Sequence, residues 1–225
     1  MTLAGKGADV VLTFNRSQAE AEGTAEKIRG LGRKALALQA DVSVARDVLQ
    51  LVDRVNRELG NVHILVNMAS VYGSKPFDET TEKDWDININ VNLKSAFLCS
   101  KAVVPGMKAE GSGRIINFAD WIAASGRPRY SGYLPYYVSK VGVIGLTEIL
   151  ALELASFNIL VNAIAPGPIL APPDLTAEEE AEVRKATPLG RWGGEKEIAK
   201  AVVSLIETDF ITGECIRVDG GRHIR

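Results

Sequence analysis

The chain has 225 residues, of which 46% are hydrophobic and 24% are charged, as is ordinary for a folded domain and not for a disordered chain. The formal net charge of −2 leaves no basic surplus to attract nucleic acid or an anionic membrane. No apolar run reaches the roughly 18–20 residues that a membrane-spanning helix needs, so we expect neither kind of partner.

Apolar runs of strand length alternate with segments of helix length along the whole chain. The runs are continuous and rich in branched side chains, which is typical of parallel strands covered on both faces. Six strands are predicted: Val10–Phe14, Ala35–Leu38, Ile64–Val66, Ile115–Phe118, Ile159–Ile164 and Cys215–Val218. The alternation predicts a single α/β domain over residues 1–225, with a doubly wound parallel sheet.

Helix-start signals lie between the predicted strands. Capping boxes are predicted where Ser or Thr precedes Glu or Asp by three residues, at Ser17, Thr81 and Thr176. The resulting helices run from Ser17 to about Leu31, from Thr81 toward Lys101, from Pro135 through Leu154, from Thr176 as a short acidic helix, and over Glu195–Glu207.

Cysteine and histidine are too sparse for a metal centre. Cys99 and Cys215 lie far apart and have no metal-ligand spacing, so we interpret them as free thiols in a reducing compartment. His63 and His223 cannot supply a histidine-rich site. Residues 1–7 contain no apolar segment of the signal-peptide kind. We therefore expect no metal and a cytoplasmic location.

Tyr136 and Lys140 lie one helical turn apart and share a helix face. A lysine ammonium near a phenol lowers the phenol pKa, which makes the tyrosine a usable proton donor or acceptor. Such a pair is more often only a pair of neighbours, so its meaning depends on the surrounding motifs.

Several motifs flank this pair in a fixed order. They are Asn67-Met-Ala-Ser70, Val91-Asn92-Leu93, Arg114–Phe118, Val161–Gly167 and Val218-Asp-Gly-Gly221. In order and spacing the set resembles the short-chain dehydrogenase/reductase family over essentially the whole chain. The resemblance implies a Rossmann-like fold and hydride transfer with a nicotinamide cofactor.

The resemblance also implies roles for single residues. Tyr136 is expected to be the catalytic acid, Lys140 its partner and a ligand of the nicotinamide ribose, and Asn92 the residue that holds a relay water. Asp41 could be a cofactor contact or, alternatively, a helix cap. Ala171 stands where the family often has a cofactor-binding Thr. Cofactor contacts are expected from Asp41, Val42, Asn67, Ala69, Lys140, Pro166, Gly167 and Ile169.

The end of the predicted strand Val10–Phe14 carries the signal for cofactor choice. An acid here would bind the 2′-hydroxyl of NAD, whereas an arginine accommodates the 2′-phosphate of NADP. The chain has Asn15-Arg16-Ser17 and no acid. This favours NADPH, and the alternative is a solvated arginine beside an ordinary helix start.

The family's Gly-rich turn, which joins its first strand to its first helix, has no counterpart in this sequence. Residues 3–9 resemble the end of that first helix. We therefore predict that the first strand and most of the first helix are absent, which leaves open backbone edges on neighbouring strands. A misassigned start or truncation and a specialised variant are the two explanations.

Asp120 stands where the family usually has a substrate-binding serine, in a longer loop than usual. An anion there keeps Tyr136 protonated and accepts hydrogen bonds from a substrate with N–H groups, as in the pteridine reductase branch. Tyr133 and Trp121, with Tyr72 and Tyr130, are candidate walls for a planar substrate or are ordinary packing residues. Arg127 and Arg129 are a candidate anion site or part of a solvated loop, and Ser125 is a substitute for Asp120 if the alignment shifts.

We therefore predict an NADPH-dependent reductase that transfers hydride to a C=O or C=N group of a small molecule such as a pterin. A 3-oxoacyl thioester or general carbonyl reductase is the alternative within the enzymes. A non-catalytic oligomerising protein without dinucleotide binding is the alternative of another class. Residues 168–192 are expected to form a substrate lid, and the family resemblance implies a homo-oligomer, either a dimer or a tetramer.

Overall fold

The computed structural model describes residues 1–126, 128 and 130–224. Within this part, the strands are β1 (Val10–Phe14), β2 (Ala35–Gln39), β3 (Ile64–Asn67), β4 (Gly113–Phe118), β5 (Ile159–Pro166) and β6 (Cys215–Val218). The helices are α1 (Thr2–Gly5), α2 (Gln18–Arg29), α3 (Ala45–Leu59), α4 (Glu82–Asn88), α5 (Ser95–Glu110), α6 (Trp121–Ala124), α7 (Leu134–Leu154), α8 (Ala177–Ala186) and α9 (Glu195–Glu207).

All the described strand pairs are parallel, but they form two separate sheets. One sheet has the order β1-β2 and the other has the order β3-β4-β5-β6. Among the described strands, β1 and β3 therefore each have one neighbour and one open edge. The predicted α/β fold with a parallel sheet is confirmed, and the open edges match the expectation from the sequence.

β4 and β5 form the centre of the core, and both of their faces are covered. Ile115, Ile159 and Val161 pack against α5 and α7 on one face. Ile116 and Ile164 pack against α9 on the other face. This two-sided burial explains why these strands read as continuous apolar runs in the sequence.

Helix starts agree with the predictions in two of three places. Thr81 and Thr176 both form complete capping boxes. Ser17 precedes α2 but its side chain makes no capping bond, so that capping-box prediction is wrong. The helix predicted from Thr81 toward Lys101 is divided by a π-helical turn at Ile89–Lys94.

Helix α1 connects the two sheets through its side chains. Leu3 packs with the cluster between the four-stranded sheet and α9. Ala4 is buried with residues of α2 and β2. Lys6, just after α1, forms an ion pair of 2.7 Å with Glu207 at the end of α9. In the described part of the chain, no helix has the length and apolarity to cross a membrane.

Candidate active site

The site forms where α7 passes the carboxyl end of β4. Tyr136 and Lys140 are both buried on the same face of α7. The Tyr136 hydroxyl donates a hydrogen bond of 2.8 Å to Oδ2 of Asp120. The Lys140 Nζ donates one of 2.8 Å to the carbonyl oxygen of Phe118, the last residue of β4. The structure therefore brings together the three side chains that the sequence singled out.

Asp120 has two structural tasks at once. Its Oδ1 accepts a 2.8 Å hydrogen bond from the Ile122 N–H and so caps α6, while its Oδ2 accepts the Tyr136 hydroxyl. The short helix α6 was not among the predicted elements. Because the cap fixes the carboxylate, the phenol of Tyr136 is held in one orientation.

The electrostatics of the site favour a protonated tyrosine. Burial raises the pKa of Tyr136, and the charge of Asp120 and their hydrogen bond raise it further. Burial also raises the pKa of Asp120, although the bonds from Ile122 and Tyr136 oppose this. Burial lowers the pKa of Lys140 to about 8. The expected lowering of the Tyr136 pKa by Lys140 is wrong, since the ammonium bonds Phe118 and the anionic partner of the phenol is Asp120.

Asn92 lies in the π-helical turn and its side chain is fully engaged. Its Oδ1 accepts the Val71 N–H at 2.7 Å, and its Nδ2 donates to the Val71 carbonyl at 3.1 Å. Nδ2 also lies 3.0 Å from the Ser139 hydroxyl. The side chain thus anchors the loop after β3, and the relay-water role stays a prediction. The sequence carries no signal for the π-helical turn, a feature frequent at functional sites.

The predicted cofactor residues follow the carboxyl ends of the parallel strands, where nucleotides bind in open α/β sheets. Asp41 follows β2, and its Oδ1 accepts both the N–H and the hydroxyl of Ser43, while the N-cap of α3 is Val44, so the helix-cap alternative for Asp41 is wrong. Asn67 ends β3 and its Nδ2 donates to Asn117 Oδ1 at 2.9 Å. The other cofactor candidates also lie at these ends: Asn15, Arg16 and Ser17 after β1, Val42 after β2, Ala69 after β3, and Pro166, Gly167 and Ile169 at or after the end of β5.

The residues at both ends of this edge fit a nicotinamide dinucleotide. Arg16 is exposed and makes no ion pair with any described residue, so its guanidinium is available to a phosphate. The Ser17 side chain is not used as a helix cap and is exposed beside it. At the other end, Lys140 and Tyr136 line a small pocket together with Asp120, which also lines the larger cavity described next. The described residues between these ends include no Gly-rich turn after a strand.

A cavity of about 510 Å³ opens beside Asp120. Trp121 and Tyr133, the predicted substrate residues, both line it. The Tyr133 and Tyr72 rings stack with centroids 4.9 Å apart, and Tyr72 also meets the Tyr136 ring edge-on at 4.9 Å. The cavity is of the size typical of small-molecule sites.

The far wall of the cavity includes Val183 on α8 and Trp192, which both belong to the predicted substrate lid of residues 168–192. It also includes Arg222 of the C-terminal tail, for which the sequence predicted no role. The Gly220-Gly221 turn before Arg222 was the one available signal that the tail bends back. Arg127 and Arg129 lie outside the described residues. In the described part, no group of three or more His, Cys, Asp or Glu side chains is arranged to hold a metal ion.

The chain is similar to known proteins over almost its full length. A family model described as enoyl-(acyl carrier protein) reductase matches residues 1–223. The 3-oxoacyl-[acyl-carrier-protein] reductase of Staphylococcus epidermidis is 35% identical over 228 residues, covering 100% of this chain and 92% of the relative. The 2-dehydro-3-deoxy-D-gluconate 5-dehydrogenase of Escherichia coli K12 is 38% identical over 226 residues, covering 97% and 87%.

Solved structures agree with these relatives. A gluconate 5-dehydrogenase from Burkholderia cenocepacia J2315, in complex with NADP and tartrate, has a TM-score of 0.90 at 30% identity and covers 100% of this chain and 89% of its own. A blue fluorescent protein from a metagenomic library, in complex with NADPH, has a TM-score of 0.90 at 31% identity and covers 98% and 90%. With the parallel sheet and the Tyr136–Lys140 pair, these matches show that the chain belongs to the short-chain dehydrogenase/reductase family of oxidoreductases.

Proposed function

We propose that the protein interconverts a carbonyl and an alcohol on a small molecule, with NADPH as the preferred cofactor. The observation that carries the proposal is the hydrogen bond from the Tyr136 hydroxyl to Asp120, a residue that lines a cavity of about 510 Å³. When bound, the cofactor supplies the hydride. Tyr136 supplies the proton to the carbonyl oxygen, as a positioned general acid.

Asp120 and Lys140 support this proton transfer in different ways. Asp120 orients the phenol and keeps it protonated, because a phenolate beside a carboxylate is disfavoured. Lys140 places a buried cation one turn along α7 and bonds the end of β4, which fixes the distance between helix and sheet. Its pKa of about 8 lets it exchange a proton near neutral pH.

Arg16 and Ser17 support NADPH over NADH. A fluorescence titration of the 225-residue chain with each cofactor tests this preference. Arg16→Gln is expected to weaken NADPH binding by about tenfold or more and to leave NADH binding unchanged, since one charge-assisted fork is lost. Arg46→Gln, an exposed arginine on α3, is the matched control. Equal binding of both cofactors contradicts the preference, and binding of neither favours the non-catalytic alternative.

Membership of the family does not by itself identify the substrate. The relatives named above include a reductase of acyl-carrier-protein thioesters and dehydrogenases of sugar acids, which support a carbonyl or alcohol substrate. A pterin remains a second candidate because Asp120 lies beside Tyr136, where its carboxylate could also accept hydrogen bonds from substrate N–H groups. Against it, Tyr72 and Tyr133 stack on each other and leave no gap between them for a ring.

Substituting Asp120 separates these two candidates. With acetoacetyl thioester and a dihydropterin as probes, higher thioester reduction in Asp120→Ser than in the unaltered chain supports the carbonyl reductase. Dihydropterin reduction that is lost in Asp120→Ser supports the pterin candidate.

We also propose a homo-oligomer that forms through α7. This helix exposes apolar side chains at spacings of three, four and eight residues, which place them on one stripe. They are Leu134, Val138, Val141, Ile149 and Leu152.

Light scattering is expected to give a dimer or tetramer, and Val141→Glu with Leu152→Glu is expected to give a monomer. Leu49→Glu, on α3, is a control that should leave the mass unchanged, and a monomeric unaltered chain contradicts the proposal.

A further inference from the structure

The C-terminal tail turns back toward the cavity directly after β6. Gly220 and Gly221 have φ angles of 62° and 83°, a backbone region that residues other than glycine rarely adopt. The buried Asp219 carboxylate accepts the N–H groups of Gly221 and His223, each at 3.0 Å. It also lies 2.7 Å from Nδ1 of His223. The backbone on either side of Arg222 is therefore fixed.

Arg222 is held against the cavity wall by neutral partners. Its Nη1 donates to the Val183 carbonyl at 3.1 Å and to the Thr187 hydroxyl at 3.3 Å, and its Nη2 donates to the Tyr130 hydroxyl at 2.8 Å. The guanidinium carbon lies 5.4 Å from the centre of the Trp121 ring. A planar guanidinium that is fixed in position beside an aromatic ring is well suited to binding a carboxylate.

No described acidic side chain pairs with Arg222, although the guanidinium lines the cavity. The three bonds to neutral partners leave the Nε–H and one Nη2–H without a partner among the described residues. An unpaired positive charge that faces a cavity attracts an anion there, because the cavity walls screen the charge less than water does.

The cavity therefore has a polarity. Asp120 lies beside the reacting hydroxyl of Tyr136, and Arg222 is the cationic side chain among the described residues of the wall. A substrate carboxylate is repelled by Asp120 and attracted by Arg222. Hydroxyl groups on the same substrate can donate to Asp120. This arrangement directs one end of an acidic substrate away from the reacting carbon.

We propose that Arg222 binds the carboxylate of the substrate and makes the enzyme selective for keto acids or hydroxy acids whose carboxylate lies away from the reacting carbon. The proposal rests on the oxidoreductase function proposed above and adds the substrate class and the residue that selects it.

Tartrate is the probe, and threitol is its neutral counterpart with the same four-carbon chain. Calorimetric titrations are made with and without NADP⁺, so that failure of the cofactor to bind is recorded separately. The unaltered chain is expected to bind tartrate and to prefer it over threitol. Absence of tartrate binding, equal binding of threitol, or binding of inorganic phosphate in place of tartrate would each overturn the carboxylate assignment.

Substitutions then locate the binding residue. Arg222→Gln is expected to weaken tartrate binding by about tenfold or more, since a charge-assisted contact is lost. Arg222→Lys is expected to retain part of the affinity because it keeps the charge. Arg57 is an exposed arginine on α3, and Arg57→Gln is expected to bind tartrate as tightly as the unaltered chain does.

A purely structural role of Arg222 predicts a different pattern. In that case the lysine variant would lose as much affinity as the glutamine variant, because neither keeps the bonds to Val183 and Tyr130, and that result overturns the proposal. Equal tartrate binding in Arg222→Gln and the unaltered chain overturns it as well. If Arg222→Gln does not fold, the lysine variant and the tartrate-over-threitol preference of the unaltered chain decide.

Discussion

At the scale of single residues, the hydrogen bond from Tyr136 to Asp120 decides which proton the site can give. The phenol is buried, bonded to a carboxylate and protonated at neutral pH. Tyr136→Phe removes the proton donor and keeps the ring packed against Tyr72. We expect kcat for carbonyl reduction to fall by about a hundredfold or more, with NADPH binding unchanged.

The adjacent Tyr137 provides the control for this substitution. Its backbone lies on the same helix, but its hydroxyl has no bond to Asp120. Tyr137→Phe is therefore expected to leave kcat within about twofold, because a change outside the proton path has little effect on the barrier. A similar loss in both variants would show that the aromatic packing, and not the Tyr136 proton, limits the rate.

The effect of Asp120 on Tyr136 has a definite sign with pH. Burial is the largest cause of the raised Tyr136 pKa, and Asp120 adds to it by charge and hydrogen bond. In alcohol oxidation the tyrosine must act as a base, so activity rises as the phenol loses its proton. Removing the carboxylate lowers the Tyr136 pKa. We therefore expect Asp120→Ser to move this rise to lower pH in a profile of kcat/KM. If the profile of Asp120→Ser does not move, then Asp120 does not influence the pKa of the group that titrates.

The reacting side chains were predictable from the sequence because they lie in local motifs. Tyr136 and Lys140 are one helical turn apart, and Asp120 follows a recognisable strand. Arg222 was not predictable in the same way. Its bond to Tyr130 joins residues that are 92 positions apart, and a contact over that distance leaves no periodic pattern in the sequence.

At the scale of elements, α8 depends strongly on its N-terminal cap. It has no buried residue within Ala177–Ala186, so packing contributes little to its stability. The Thr176 hydroxyl accepts the Glu179 N–H, and the Glu179 carboxylate accepts the Thr176 N–H. We expect Thr176→Ala to cost about 1 kcal/mol of local stability, or about fivefold faster hydrogen exchange within α8.

Ser17 gives a matched control because the same sequence pattern stands there without the bond. Its side chain makes no capping contact at α2. Ser17→Ala is therefore expected to leave hydrogen exchange in α2 unchanged. If Ser17→Ala speeds hydrogen exchange in α2 as much as Thr176→Ala speeds it in α8, then Ser17 caps α2 in solution.

The elements differ in how much of their position the sequence determines. Buried parallel strands are apolar throughout, so all six described strands lie within a few residues of their predicted bounds. Helix α3 was not predicted, since Val44 at its start gives no side-chain cap. The π-helical turn at Ile89–Lys94 was also missed, because it interrupts a helix without a glycine or proline to mark it.

At the scale of the whole molecule, the two sheets are joined by side-chain packing and not by strand hydrogen bonds. Between the sheets, Leu3 and Ala4 of α1 each contribute to a different core cluster. The ion pair of Lys6 with Glu207 is exposed and contributes little. Helix α3, which follows β2, also packs against α5 and places Val52 in the core cluster of the four-stranded sheet, so the connection does not depend on α1 alone.

The open edge of β1 predicts an alternating pattern of hydrogen exchange. Val10 donates its N–H to the Lys34 carbonyl, so the N–H groups of Val10 and Leu12 point toward β2. Those of Val11 and Thr13 point to the other side, where no described strand lies. We expect Val11 and Thr13 to exchange faster than Leu12 by about a hundredfold or more.

Strand β5 is the internal control for this measurement, because it pairs with β4 on one side and β6 on the other. Successive amides of residues 163–165 are therefore expected to be protected without alternation. Equal protection of Val11, Leu12 and Thr13 would mean that another segment covers the edge of β1 in solution. An alternation in β1 that β5 lacks would instead confirm that the edge of β1 is open to water.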